Sequence, residues 1–164
     1  VEKELRRLDG ELRHLTANDT EDKHALRRGA LLILLAIDCS APSLRAAETA
    51  AVLAEACGGR VLVLHVREID PACWGVSLET PSEAKALVCG VADSLLHEGV
   101  NALALCRVAR RGHVARVIAE VALRVGADLV VMGSRGSSRL ATLLSGSIAQ
   151  QTIRRARCPV LVVR

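Results

Sequence analysis

From Ala30 onward, short apolar runs alternate with stretches of helical period. The runs are Ala30–Ile37, Arg60–Val66, Ala102–Val108, Asp128–Met132 and Pro159–Val163. Each is rich in Val, Ile or Leu and apolar on both faces, the pattern expected of strands covered by helices on both sides. Between them lie Pro42–Cys57, Ser82–His97, His113–Val125 and Ser147–Ala156. The third shows its period best, because Val114, Val117, Ile118, Val121 and Val125 fall on one helical face and Gly126 follows as a stop. Ser40 with Pro42 marks a helix start, and Gly58-Gly59 marks its end. Strands alternating with helices of this length predict an α/β fold. Its sheet is a five-stranded, parallel, doubly wound one with right-handed crossovers and helices on both faces. Such sheets take ligands at the carboxyl ends of their strands, at the switch point. Three places then matter: after Ile37, after Val66 and after Met132.

Residues 1–28 differ. Leu5, Leu8, Leu12 and Leu15 form one apolar stripe on a charged segment, Gly10 interrupts it, and Thr16 to Lys23 is polar. This predicts an amphipathic helix and linker ahead of a domain over 29–164; two heptads are too few for a coiled coil. The longest unbroken apolar run is Ala30–Ile37, far short of the about 20 residues of a membrane span. The N-terminus lacks a secretory pattern. The chain opens on Val1, as a processed or excised fragment would. The expectation is a cytoplasmic protein.

Composition narrows the partners. The net charge of +4 hides an asymmetry, because residues 101–164 carry eleven arginines against Glu120 and Asp128. An anion is expected there, although a solvated arginine-rich surface gives the same count. Trp74 is the sole aromatic residue, which argues against base stacking and so against a single-strand nucleic-acid reader. Among the six cysteines no Cys-x-x-Cys pair occurs, and the expected role is that of small buried hydrophobes, with no zinc.

The richest stretch for chemistry runs from Met132 to Ser147, where Gly133 and Gly136 follow a strand and Gly146-Ser147 opens a helix. Glycine lets backbone approach a ligand, and a helix N-terminus offers unpaired N–H groups to phosphate. Ser147 adds a hydroxyl, and Arg135 and Arg139 add charge. The stretch is neither a Walker A loop nor a dinucleotide G-x-G-x-x-G. On residue types alone, a glycine-rich turn explains it as well as a phosphate site.

The spacing Gly133-x2-Gly136-x9-Gly146-Ser147 resembles that of the ATP-binding branch of the universal stress proteins. Three other segments resemble the same family in order: Ile37-Asp38-Cys-Ser40, Leu64-His65-Val66 and Cys158-Pro-Val-Leu-Val-Val-Arg164. The resemblance covers about Leu31 to Arg164 and implies a Rossmann-like fold akin to adenine nucleotide alpha hydrolases. It implies that Asp38 lies beside the ribose and adenine, that the Val66 backbone meets the adenine edge, and that Ala36 and Met132 line the base pocket. Gly133, Gly136, Gly146 and Ser147 would hold phosphates and ribose, with Ile148 adjoining. The implied ligands are ATP and Mg2+, and the implied assembly is a homodimer through the last strand, with neither nucleic acid nor a membrane as partner.

Asp38 has a physical reason of its own, since a carboxylate accepts from sugar hydroxyls or holds magnesium; capping the helix near Ser40 is its competing role. Cys39 departs from the small residue common at that place in the family. No nucleophile–base pair is visible, so hydrolysis is expected to be slow or absent. A non-nucleotide dimerising module on the same fold is the alternative. An adenylating enzyme of related architecture would need a Ser-Gly-Gly-x-Asp-Ser loop, which Ile37–Ala41 lacks. His65 reads as a packed strand-end histidine, His113 as an exposed structural one, and Trp74 as either a lid or a loop anchor.

Overall fold

The apolar runs become strands because each is stiffened by β-branched residues and buried from both sides. The computed structural model describes residues 30–69, 79–134 and 148–164. Among them the order is β1 (Leu32–Ile37), α1 (Ala41–Cys57), β2 (Arg60–Ile69), α2 (Pro81–His97), β3 (Asn101–Arg110), α3 (Val114–Val125), β4 (Leu129–Gly133), α4 (Ile148–Arg155) and β5 (Val160–Val163). The strands form one parallel sheet in the order β3-β2-β1-β4-β5, as the alternating pattern predicts. Leu31–Arg164 is a single compact unit. The stripe at Leu5–Leu15, the linker and Trp74 lie outside the described residues.

Strand geometry splits the core in two, because successive side chains point to opposite faces. Ile33, Leu35 and Ile37 of β1 pack with α1 and α2, joined by Val61, Val63 and Val131. Leu34 and Ala36 pack with α3 and α4, joined by Leu64, Val66, Val130 and Met132. Helix α1 meets its face through Ala46, Ala50 and Ala54, all at most 1% exposed; such small residues let a helix lie close to the sheet. Gly126 ends α3 in the left-handed conformation, φ 68°, with Ala127 N–H donating to the Ala122 carbonyl at 2.9 Å, the stop the sequence predicts.

Two differences from the sequence reading have physical causes. Strands β2 and β3 run on to Ile69 and Arg110, paired in register to their last residues. Arg67, Glu68 and Arg110 occupy that extension, so a search for apolar runs misses it. Strand β3 is also not covered on both sides: Leu103 is 58% exposed, because β3 is an edge and α3 does not cover its first half. The cysteines differ too. None of the five described is fully buried, and Cys39 and Cys57 are exposed.

Candidate functional site

Strands β1 and β4 are neighbours, but the chain leaves them in opposite directions. From β1 it passes through α1 on one face towards β2; from β4 it reaches α4 on the other face and then β5. Their carboxyl ends therefore bound the crevice of the switch point. Ala36 and Met132 are register partners there, and Asp38 and Gly133 follow them closely along the chain. Ala36, Val66 and Met132, each at most 9% exposed, share one apolar cluster that Ile148 packs against. Ala36, Met132 and Val66, read from the sequence as meeting the base, are thus brought together with Ile148, read as adjoining the phosphates and ribose. Arg135, Gly136, Arg139, Gly146 and Ser147 lie outside the described residues.

Asp38 is already at work. Its Oδ1 accepts from the Ser40 backbone N–H at 3.0 Å and from the Ser40 hydroxyl at 2.5 Å. Its own N–H donates to Ser43 Oγ at 2.9 Å, and Ser43 is buried. Ser40 is the N-cap of α1, yet its side chain makes no capping bond; the hydroxyl turns back to Asp38 instead. The carboxylate therefore shapes the turn into α1, whatever else it does.

Gly133 has a packing reason for being glycine. A Cβ there would lie 2.9 Å from the Pro42 carbonyl carbon and 3.0 Å from Ser43 N. Its φ is not among the positive values of the described glycines. The close approach is thus made to the first turn of α1, with no ligand needed to explain it.

Within β2, opposite the last residue of β1, His65 is 7% exposed and contacts two oxygens. Nδ1 lies 2.9 Å from the Ile37 carbonyl and Nε2 lies 2.7 Å from Glu79 Oε2. His65 is packed as the sequence predicts, but it lies inside β2, which runs on to Ile69, and Glu79 was not foreseen. Glu79 lies fourteen residues on, in a segment without helical or strand period, so nothing local marks it. Cys39, beside Asp38, has its thiol pushed above the ordinary range by desolvation, then by Glu79 and Asp38. Part of the arginine surplus lies elsewhere: Arg116, Arg124, Arg154, Arg155 and Arg157 are exposed on or just after α3 and α4, while Arg135 and Arg139 lie outside the described residues. The charge count alone therefore does not mark the crevice.

The family model described as the universal stress protein family matches residues 32–164. The chain belongs to that family. A universal stress protein of Thermus aquaticus is 37% identical over 138 residues, which span 80% of this chain and 97% of that relative. Among solved structures, a universal stress protein in complex with cAMP superposes with a TM-score of 0.63 at 23% identity, covering 83% of this chain and 98% of its own. The Archaeoglobus fulgidus universal stress protein in complex with dAMP gives 0.63 at 24% identity, covering 82% and 98%. At those identities the two structures speak for the fold of this universal stress protein domain. Among its described residues, no helix is long and apolar enough to cross a membrane.

Proposed function

We propose that this universal stress protein domain binds ATP with Mg2+ in the β1–β4 crevice and acts as a nucleotide-dependent regulator of the stress response in the cytoplasm, as a homodimer joined along β5. One observation carries the reading: Ala36, Val66, Met132 and Ile148, from three strands and a helix, gather in one apolar cluster at the switch point, with Asp38 next to the last residue of β1. Such a bed suits a purine ring, with few polar groups placed to orient it. Two structural neighbours were solved with adenine nucleotides, cAMP and dAMP, which supports the class of ligand.

In this reading the four apolar residues hold the base, and Asp38 accepts from the ribose hydroxyls. The segment Gly133–Ser147, with Arg135, Gly136, Arg139, Gly146 and Ser147, holds the phosphates. Among the described residues no group of three His, Cys, Asp or Glu side chains is arranged to hold a metal. Mg2+ would therefore be bound chiefly through phosphate oxygens, as it commonly is. His65 does not offer a general base, because Ile37 and Glu79 occupy both its ring nitrogens. We expect hydrolysis to be slow or absent.

Mass spectrometry of the small molecules released by denaturing the purified protein, with calorimetry using MgATP, tests the proposal. Asp38→Asn sharpens it, because the amide keeps an acceptor for Ser40 while losing the charge. The variant is expected to keep its stability and to lose about 1–3 kcal/mol of MgATP affinity, the scale of a hydrogen bond to a charged group. A wild-type protein that releases no nucleotide and shows no binding heat points instead to a dimerising module without nucleotide.

A further inference from the structure

The contacts of His65 demand one proton more than a neutral imidazole beside a carboxylate provides. The Ile37 carbonyl only accepts, so Nδ1, 2.9 Å away, carries a hydrogen. Nε2 is then the basic nitrogen of a neutral ring, yet it lies 2.7 Å from Glu79 Oε2. A carboxylate there would set lone pair against lone pair. The contact is attractive once a second proton is present, either on Nε2 facing a carboxylate or on the Glu79 carboxyl facing Nε2.

The position of this shared proton gives it a consequence. Ile37 directly precedes Asp38, and His65 directly precedes Val66. Glu79 directly precedes Thr80, the N-cap of α2, and Arg67 of β2 donates to the Glu79 carbonyl at 3.3 Å. The end of β1, the β2 residue paired with it and the start of α2 are thus tied at one imidazole. We propose that His65 is a positioning residue of the crevice, fastening Glu79 and the start of α2 to the β1–β2 pair beside Asp38 and Val66 through a proton it shares with Glu79. The proposal rests on the nucleotide reading above.

Other ionisable groups surround this point from each neighbouring element. Cys106 on β3 is the register partner of His65. Its thiol is pushed up by desolvation first and then by Glu79, while Arg67 and Arg107 oppose the rise. Cys39 and Asp38 stand at the end of β1, where the Glu79 and Asp38 charges both act on the Cys39 thiol. Loss of the shared proton would break the Nε2–Glu79 contact and free the start of α2, while the Nδ1–H bond to Ile37 stays.

Two measurements test this on the full chain, with Glu79→Gln as the companion variant. A glutamine meets a neutral imidazole through its amide without the extra proton, so the variant is expected to fold. In the protein without nucleotide, the His65 ring resonances should titrate differently in the wild type and the variant. MgATP affinity in the wild type should be about tenfold weaker at the higher of two pH values chosen to bracket the ring titration so observed. Any fall seen equally in Glu79→Gln belongs to the nucleotide. Identical ring titrations in the two proteins overturn the shared proton, and equal pH profiles of affinity overturn the positioning role. A ring titration that depends on Glu79 in a protein that binds no nucleotide at either pH supports the shared proton. The same result overturns the nucleotide reading, and with it the role in positioning.

Discussion

At the residue scale, Gly133 and Asp38 each do a structural task at a place where a ligand role was expected. The would-be Cβ of Gly133 meets Pro42 and Ser43 backbone at 2.9 to 3.0 Å, and backbone yields less readily than a side-chain tip. Gly133→Ala is expected to destabilise the fold by about 1–3 kcal/mol, the usual cost of forcing atoms into a packed site. Urea unfolding checks it; an unchanged midpoint sinks the packing account. A second expectation concerns Cys39, which is exposed but whose thiol is raised by desolvation, Glu79 and Asp38. Its thiolate is scarcer at neutral pH than that of a free cysteine, so alkylation followed by peptide mass spectrometry should be slower than for glutathione. Glu79→Gln should speed it, and equal rates in the two proteins would remove the Glu79 charge from the explanation. Residue type pointed to both places: a strand followed by Asp-x-Ser, and a strand followed by glycine. What it does not carry is the identity of the partner. Ser40 beside Asp38 is local and readable, whereas Pro42 beside Gly133 and Glu79 beside His65 are made by packing between distant segments.

Elements were legible wherever burial dictated composition. Strands β1 and β4, enclosed between both helical layers, are nearly pure Leu, Ile, Val, Ala and Met, and helix α3 shows its apolar face in its spacing. Legibility faded at β2 and β3, where polar side chains occupy paired but less covered ends. The start of α2 carried a readable signal that the apolar pattern overlooked. Thr80 and Glu83 form a capping box: the Glu83 N–H donates to Thr80 Oγ1 at 3.2 Å, and the Thr80 N–H donates to Glu83 Oε2 at 2.7 Å. The Thr80 backbone N–H, then its hydroxyl, hold the Glu83 carboxyl below its ordinary 4.5. A depressed folded value means that this stabilisation is present above the unfolded value and lost as pH falls through the folded one. Thr80→Ala should cost about 1 kcal/mol, the usual loss for a cap. Glu83→Gln should destabilise the protein near neutral pH, with its difference from wild type shrinking in acid. Thermal melts across that range check the sign, and a difference that grows in acid would refute it.

For the whole molecule, the two sheet edges are unlike. Strand β3 carries Asn101, Arg107 and Arg110, and polar or charged side chains discourage further pairing along an edge. Strand β5 is Val160-Leu-Val-Val163 with no polar residue, paired to β4 on one side. An apolar edge of this kind invites a second strand, and a twofold axis lets the same strand of another copy supply it, each edge satisfying the other. The side chains of β5 are not equivalent for testing the proposed homodimer. Val160 and Val162 pack against the α3–α4 side of the core and Val163 against the other, so charging them would harm the fold itself. Leu161 is 37% exposed and is the gentler choice. In an antiparallel pair about a twofold axis, Leu161→Lys brings two like charges close together across the junction, which is unfavourable. The wild type is expected to scatter light as a dimer at micromolar concentration and Leu161→Lys as a folded monomer with an unchanged far-ultraviolet spectrum. A wild type that is itself monomeric there removes the homodimer, and a variant that stays dimeric moves the junction away from β5.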